Sequence, residues 1–157
     1  MKLSEIFLVL DNIRSRENVG SIFRTADGLG VSKIYLCGIT PTPPHPKISK
    51  TALQAEMYVP WEYYKQTWKC LRKLQVENSK LKVIGLEQTK DSQNLFKFKP
   101  RFPLVLIVGN EVKGISPRIL KYCDRVVHIS MLGRKESLNV SVAAGVALYV
   151  LNNYVLR

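Results

Sequence analysis

Short apolar runs alternate with amphipathic stretches along the chain. Residues 6–10 (IFLVL) form a continuous apolar run closed by Asp11 and Asn12, the pattern of a buried strand. Over 18–30, Ile22, Phe23, Ala26 and Leu29 recur at helical spacing, with Asn18 as N-cap and Gly30 as stop. Residues 32–37 (SKIYLC) read as a second strand and complete a strand–helix–strand unit. The stretch 40–46 (TPTPPHP) is too rich in proline for a helix interior, and a short helix is expected within 47–58. An amphipathic helix over 64–77 sets Trp68, Leu71 and Leu74 inward and Lys65, Lys69 and Lys73 on a solvated basic face. Strands are expected at 82–86, 104–108 and 125–129, the second apolar throughout and so buried on both faces. A helix starts at Ser116 and Pro117, cap and first turn, and runs to about residue 123. The last helix, 140–153, is apolar nearly all round. It needs cover on two sides, from a second protomer or from the chain's own strands and loops. Strands alternating with helices imply an α/β domain with a mostly parallel sheet and helices on both faces.

Charge adds a partner class. Lys and Arg number 24 against 12 Asp and Glu, a net +12 shared by both halves of the 157 residues. That favours a polyanion, either nucleic acid or an anionic membrane surface. The longest apolar or glycine run, 142–151, is too short to span a bilayer, and the N-terminal apolar stretch carries an acid, unlike a secretory leader. Cys37, Cys70 and Cys123 are too scattered for a disulfide framework or a zinc pattern. No metal is expected, and a reducing, cytoplasmic setting is.

Strand ends are where α/β folds bind ligands, and three of them lead into polar, glycine-containing segments. The first, 11–24, holds Asn18 and Arg24, less than two helical turns apart and able to face one site. An isolated Arg24 would equally serve to cover apolar surface with its stem. In the second, 109–116, Gly109 and Gly114 allow close backbone approach to a ligand. Glu111 there is placed to cap amides, accept hydrogen bonds from a ligand, or reach across an interface. In the third, 130–139, Ser137 and Asn139, with Ser141, crowd the start of the last helix, where one cap would suffice. Neither a dinucleotide fingerprint nor a phosphate loop is present.

Together these segments resemble the SPOUT class of RNA methyltransferases, in particular the SpoU (TrmH-like) family. The motif N-x-G…R-T-A…G is matched by Asn18, Gly20, Arg24, Thr25, Ala26 and Gly30. G-x-E…G-[IL]-S is matched by Gly109, Glu111, Gly114, Ile115 and Ser116. P-M-x-G…S-L-N-V-S-x-A is matched by Met131, Gly133, Ser137, Leu138, Asn139, Val140, Ser141 and Ala143, with Ser130 in place of the proline. Order and spacing hold over about residues 5–150. The resemblance implies an α/β fold with a deep C-terminal trefoil knot, a homodimer, and S-adenosylmethionine as methyl donor, leaving S-adenosylhomocysteine. It implies a cofactor held by Gly109, Asn110, Glu111, Gly114, Ile129, Met131 and Leu138, with Leu86 and Glu87, followed by Gln88, as a third wall. It implies a ribose 2′-hydroxyl of tRNA or rRNA as acceptor.

By the same resemblance Arg24 is the catalytic arginine. A guanidinium is effectively always protonated, so it is not expected to act as a base. It is expected to grip a neighbouring phosphate and stabilise the developing alkoxide. Asn18 would orient Arg24 or the ribose, and Ser137 and Asn139 would position RNA backbone and cofactor loop. Arg14, Arg16, Lys113, Arg134 and Lys135, near the site loops, are candidates for phosphate contacts. Tyr58, Trp61, Tyr63 and Tyr64 read as a partly buried aromatic cluster, with base stacking as the other use, and His128 as structural. The expected protein is a single domain over 1–157 without an appended RNA-binding domain. It would act on tRNA, with rRNA or an inactive RNA-binding module of the same fold as alternatives.

Overall fold

The computed structural model describes residues 5–155; the start of the chain at 1–4 and its end at 156–157 lie outside the described residues. Seven strands form one sheet in the order β3-β2-β1-β6-β4-β7-β5, and every pairing is parallel. The strands are β1 (Ile6–Asp11), β2 (Lys33–Cys37), β3 (Trp61–Tyr64), β4 (Lys82–Leu86), β5 (Gln93–Asn94), β6 (Leu104–Gly109) and β7 (Arg125–His128). The helices are α1 (Arg16–Gly28), α2 (Pro46–Ala52), α3 (Ala55–Tyr58), α4 (Thr67–Glu77), α5 (Pro117–Leu120) and α6 (Val140–Asn153).

Side chains alternate across the sheet and divide the core in two. Leu8, Leu10, Ile34, Leu36, Leu106 and Val108 face α1, α2 and α6, in a cluster with Ile22, Phe23, Ala144 and Leu148. Val9, Tyr35, Cys37, Val83, Val105 and Ile107 face α4 and α5, with Cys70, Leu71 and Ile119. The central strand β6 is buried at every position, as its unbroken apolar run requires.

Several boundaries differ from the sequence reading, each for a local reason. Helix α1 is capped by Ser15, whose Oγ accepts the Asn18 N–H at 3.1 Å, so Asn18 lies inside the first turn. The helix ends in a Schellman turn: Gly30 takes φ 66°, Gly30 N donates to Asp27 O, and Val31 N to Ala26 O. The single helix expected within 47–58 is two, because Leu53 and Gln54 both adopt left-handed backbone at φ 49° and 72°. Residues 61–64 form the edge strand β3, so Tyr64 lies outside the amphipathic helix, which starts at Thr67. Trp61 and Tyr64 are half-buried while Tyr58 and Tyr63 are exposed. The aromatics are therefore spread along an edge and do not form one cluster. Strand β5 and the 3-10 turn Leu95–Lys97 carry no pattern that sequence reading recognised. Helix α6 begins and ends as expected, with Asn139 as its cap. No helix among the described residues is long and apolar enough to cross a membrane.

Candidate active site

The carboxyl ends of β4, β6 and β7 open into a cleft of about 790 Å³, counting its mouth. Leu86, Glu87 and Gln88 form one wall; Gly109, Asn110, Glu111 and Gly114 form the second; Ile129, Met131, Ser137 and Leu138 form the third. Val140 and Ala143 of α6 close the back. The residues expected to hold the cofactor therefore line one cavity, of a size that suits a small organic ligand. His128, Glu136 and Val112 line it too, outside the set of residues that the sequence singles out for the site. For His128 the signal was its place at a strand's carboxyl end. Its Nδ1 lies 2.9 Å from the Ser92 hydroxyl.

The second wall is a tight loop that folds onto itself. Asn110 N donates to Gly114 O at 3.2 Å, and Gly114 N returns the bond to Asn110 O at 2.9 Å. The Asn110 side chain accepts from Val112 N at 2.9 Å and Lys113 N at 3.0 Å, and donates to Asn12 O at 2.8 Å. A Cβ on Gly109 would collide with the backbone of Gly114 and Ile115, so only glycine permits this closure. Gly114 takes φ 66° above the Glu87 carboxylate. Glu87 Oε2 in turn accepts Ile115 N at 2.9 Å, tying β4 to this loop.

Glu111 joins three remote segments. Its carboxylate accepts Arg14 N at 2.9 Å, Ser15 N at 3.0 Å and Asn18 Nδ2 at 3.2 Å. Partial burial opposes its ionisation, but the Ser15 and Arg14 amides outweigh that, and the carboxyl is held below its ordinary 4.5. Asn18 Oδ1 accepts Asn139 Nδ2 at 3.1 Å. Asn139 Oδ1 caps α6 by accepting Ser141 N at 2.9 Å and Val142 N at 3.3 Å. Of the uses open to Glu111, the structure displays amide capping. Asn18, expected to orient Arg24 or the ribose, is bonded through its amide nitrogen to Glu111 and through its amide oxygen to Asn139.

Arg24 stands apart from this network. It lies about 9 Å along α1 from Asn18 and about 120° around it, as six helical residues dictate. It is exposed and does not line the cleft, so within one chain Asn18 and Arg24 do not face one site. Arg14, Arg16, Lys113, Arg134 and Lys135 are exposed around the cleft loops. Beside Arg24, an apolar groove runs between α1 and α6, lined by Ser21, Thr25, Val142, Gly145, Val146 and Tyr149, with Phe96 at its side. Val142 and Tyr149 of α6 are 51% and 64% exposed, and Phe96 of the 3-10 turn 63%, an unusual exposure for apolar side chains that share one groove. Among the described residues no group of three or more His, Cys, Asp or Glu is arranged to hold a metal ion.

A parallel α/β sheet with a cleft built from the loops after β4, β6 and β7 defines a methylase-type domain. The family model described as the SpoU rRNA Methylase family matches residues 5–149, and the chain belongs to that family. It is 32% identical over 146 residues to the tRNA (guanosine(18)-2′-O)-methyltransferase of Aquifex aeolicus, covering 92% of this chain and 67% of that protein. It is 33% identical over 144 residues to the 23S rRNA (guanosine-2′-O-)-methyltransferase RlmB of Pseudomonas putida, covering 92% and 57%. The AdoMet-bound rRNA methyltransferase from Sinorhizobium meliloti superposes with TM-score 0.89 at 26% identity, over 99% of this chain and 59% of that one. The chain thus spans about three fifths of the length of the curated relatives it matches.

Proposed function

We propose that the chain is an S-adenosylmethionine-dependent methyltransferase acting on a ribose 2′-hydroxyl of RNA, with tRNA as the first substrate and rRNA as the second. The observation that carries this is the cleft itself, in which residues from two of the matched motifs meet at three strand ends. Its fit to the cofactor rests on the loop closure at Gly109 and Gly114, which turns backbone groups toward the ligand, and on apolar walls from Leu86, Ile129 and Leu138 suited to an adenine ring. A tRNA and an rRNA enzyme stand among the relatives at similar identity.

The cofactor supplies a methyl group already activated on a sulfonium. The protein's task is to align the ribose oxygen and to manage one proton. Arg24, always charged, binds the phosphate next to the acceptor ribose and stabilises the alkoxide as it forms. The proton passes from the hydroxyl to phosphate or water. Glu111, Asn18 and Asn139 fix the relative positions of the cofactor loop, α1 and α6. Ser137, at the cleft wall, positions RNA backbone, and Arg14, Arg16, Lys113, Arg134 and Lys135 hold flanking phosphates.

The working unit in this reading is a homodimer. Its support is the exposed apolar groove on α1 and α6, and Arg24 beside it, which a second protomer's cleft would complete. The C-terminal trefoil knot implied by the resemblance, and a cytoplasmic setting in keeping with three free cysteines, belong to the same reading. Transfer of labelled methyl from S-adenosylmethionine to bulk tRNA and to rRNA tests it. Transfer to tRNA with release of S-adenosylhomocysteine is expected. Cofactor binding without transfer to either RNA would point to an inactive RNA-binding module, and no cofactor binding would refute the reading.

A further inference from the structure

The basic face of α4 has no part in the site so far described. Its inner residues Cys70, Leu71 and Leu74 are buried in the core, so the helix has no free apolar face for a membrane. Lys69 and Arg72 point outward, and Lys65 precedes the helix. On the neighbouring α5, Arg118 and Lys121 are exposed. Trp68 joins the two helices: the Arg118 guanidinium lies 5.0 Å from its ring centre and the Lys69 ammonium 5.6 Å.

These cations are not neutralised within the fold. The ion pairs found among the described residues involve Lys33 and Lys73 with Glu62 and Glu77. The other acids nearby are committed. Asp124 accepts Val83 N at 2.8 Å, and Asp11 is buried under the Thr67 hydroxyl, which donates to it at 2.6 Å. That same bond places the first turn of α4 at the carboxyl end of β1, whose last residue pairs with Gly109 of the cleft loop. Helix α5 follows that loop directly. The cationic strip therefore starts at the cleft and runs away from it on the face of the sheet opposite α1 and Arg24.

We propose that the exposed face of α4 and α5, centred on Lys69, Arg72 and Arg118, is a second RNA-docking surface that holds the phosphodiester backbone away from the reacting ribose. The proposal rests on the RNA-methyltransferase reading for its partner. The unpaired cations supply phosphate contacts, and Trp68 with Arg118 forms a rigid cation–ring pair that presents the guanidinium outward. Acting on one folded face beside the cleft, they fix the direction in which RNA leaves the site.

The test compares RNA binding by the wild-type protein, the triple variant K69Q/R72Q/R118Q and a control, K80Q/K97Q/K99Q, that removes the same charge elsewhere. Dissociation constants for bulk tRNA and for an rRNA fragment are measured between 50 and 200 mM salt, roughly the range over which phosphate contacts are lost. The triple variant is expected to bind at least ~10-fold more weakly, with a salt slope lower by roughly 2–3, as three lost phosphate contacts imply. The control should change by less than ~3-fold, since its charges act only at a distance. Melting temperature and S-adenosylhomocysteine affinity report intact folding. If the triple variant melts early, K65Q/R72Q asks the same question at two exposed side chains. Wild-type affinity in the variant, an equal loss in the control, or loss only of binding to phosphatidylserine vesicles would overturn the proposal. Loss of RNA binding in the variant while the wild type methylates neither RNA would sustain the docking surface and refute the enzymatic reading.

Discussion

Replacing Glu111 with glutamine isolates the junction between the cleft loop, α1 and α6. The carboxylate receives three N–H donors, from Arg14, Ser15 and Asn18. Oε1 accepts all three donors and Oε2 only the Arg14 N–H, so a glutamine with its oxygen in the place of Oε1 keeps the Ser15 and Asn18 bonds as neutral ones and turns its N–H₂ against the Arg14 N–H. One bond to an ionised acceptor is lost and two are weakened from charged to neutral, together about 4 kcal/mol when buried. The cleft mouth admits water, which roughly halves that, so the expected loss is about 2 kcal/mol near neutral pH. For a domain of this size it corresponds to a fall of about 4–8 °C in melting temperature. The pH dependence makes the argument specific. The fold lowers the Glu111 pKa, so its contribution is complete above the ordinary value of 4.5 and is lost as pH falls through the folded value. The gap between wild type and E111Q should therefore be at its full size above pH 4.5 and should narrow as pH falls further below it. Thermal melts of both proteins across that range provide the measurement. A gap that stays constant with pH would mean that the carboxylate's charge is not what the amides recognise.

Arg24→Ala should lower methyl transfer by at least ~100-fold, the usual cost of removing one transition-state stabiliser, while S-adenosylhomocysteine binding measured by calorimetry stays intact. Gly114→Ala forces a side chain into backbone at φ 66° and against the Glu87 carboxylate, so cofactor affinity should fall ~10-fold or more with a smaller change in stability. Tyr149→Asp, at a position 64% exposed in the α1–α6 groove, should convert a dimer to a monomer in sedimentation velocity without unfolding the chain. Gly20→Ala sets a methyl against the Ile48 carbonyl and the Thr51 hydroxyl where α2 crosses α1, and should cost about 1–3 kcal/mol in denaturant unfolding.

The strands that stand in the middle of the sheet were the ones the sequence displayed. β1, β4 and β6 are buried almost throughout, and burial on both faces demands the unbroken apolar runs that a reader sees. The edges obey no such demand. β3 presents Trp-Glu-Tyr-Tyr, partly solvated, which reads as helix or loop equally well, and β5 is two residues long. In the site, residue types and order disclosed the cleft, because glycine, asparagine and carboxylate at strand ends have few structural uses in common. Their individual partners were hidden. Asn18 has the chemistry of a cap, yet Ser15 takes that place and frees the Asn18 amide for Glu111, 93 residues away. A helical wheel would also have separated Arg24 from Asn18, and the exposed groove beside Arg24 shows only once α1 and α6 are packed.

The pairing of β1 with β6 governs how the chain reaches this structure. Ile6 lies opposite Leu104, so the middle of the sheet joins the first strand to one that follows about two thirds of the way along the sequence. Until β6 emerges from the ribosome, β1 keeps one whole edge unpaired, and its apolar side chains Leu8 and Leu10 await their neighbours. A loop of this length costs entropy before any contact across it forms, which places the rate-limiting step late and makes it slow for so small a domain. The first half of the nascent chain is thus an open-edged sheet exposed to aggregation, and synthesis of the last third decides whether a molecule becomes native.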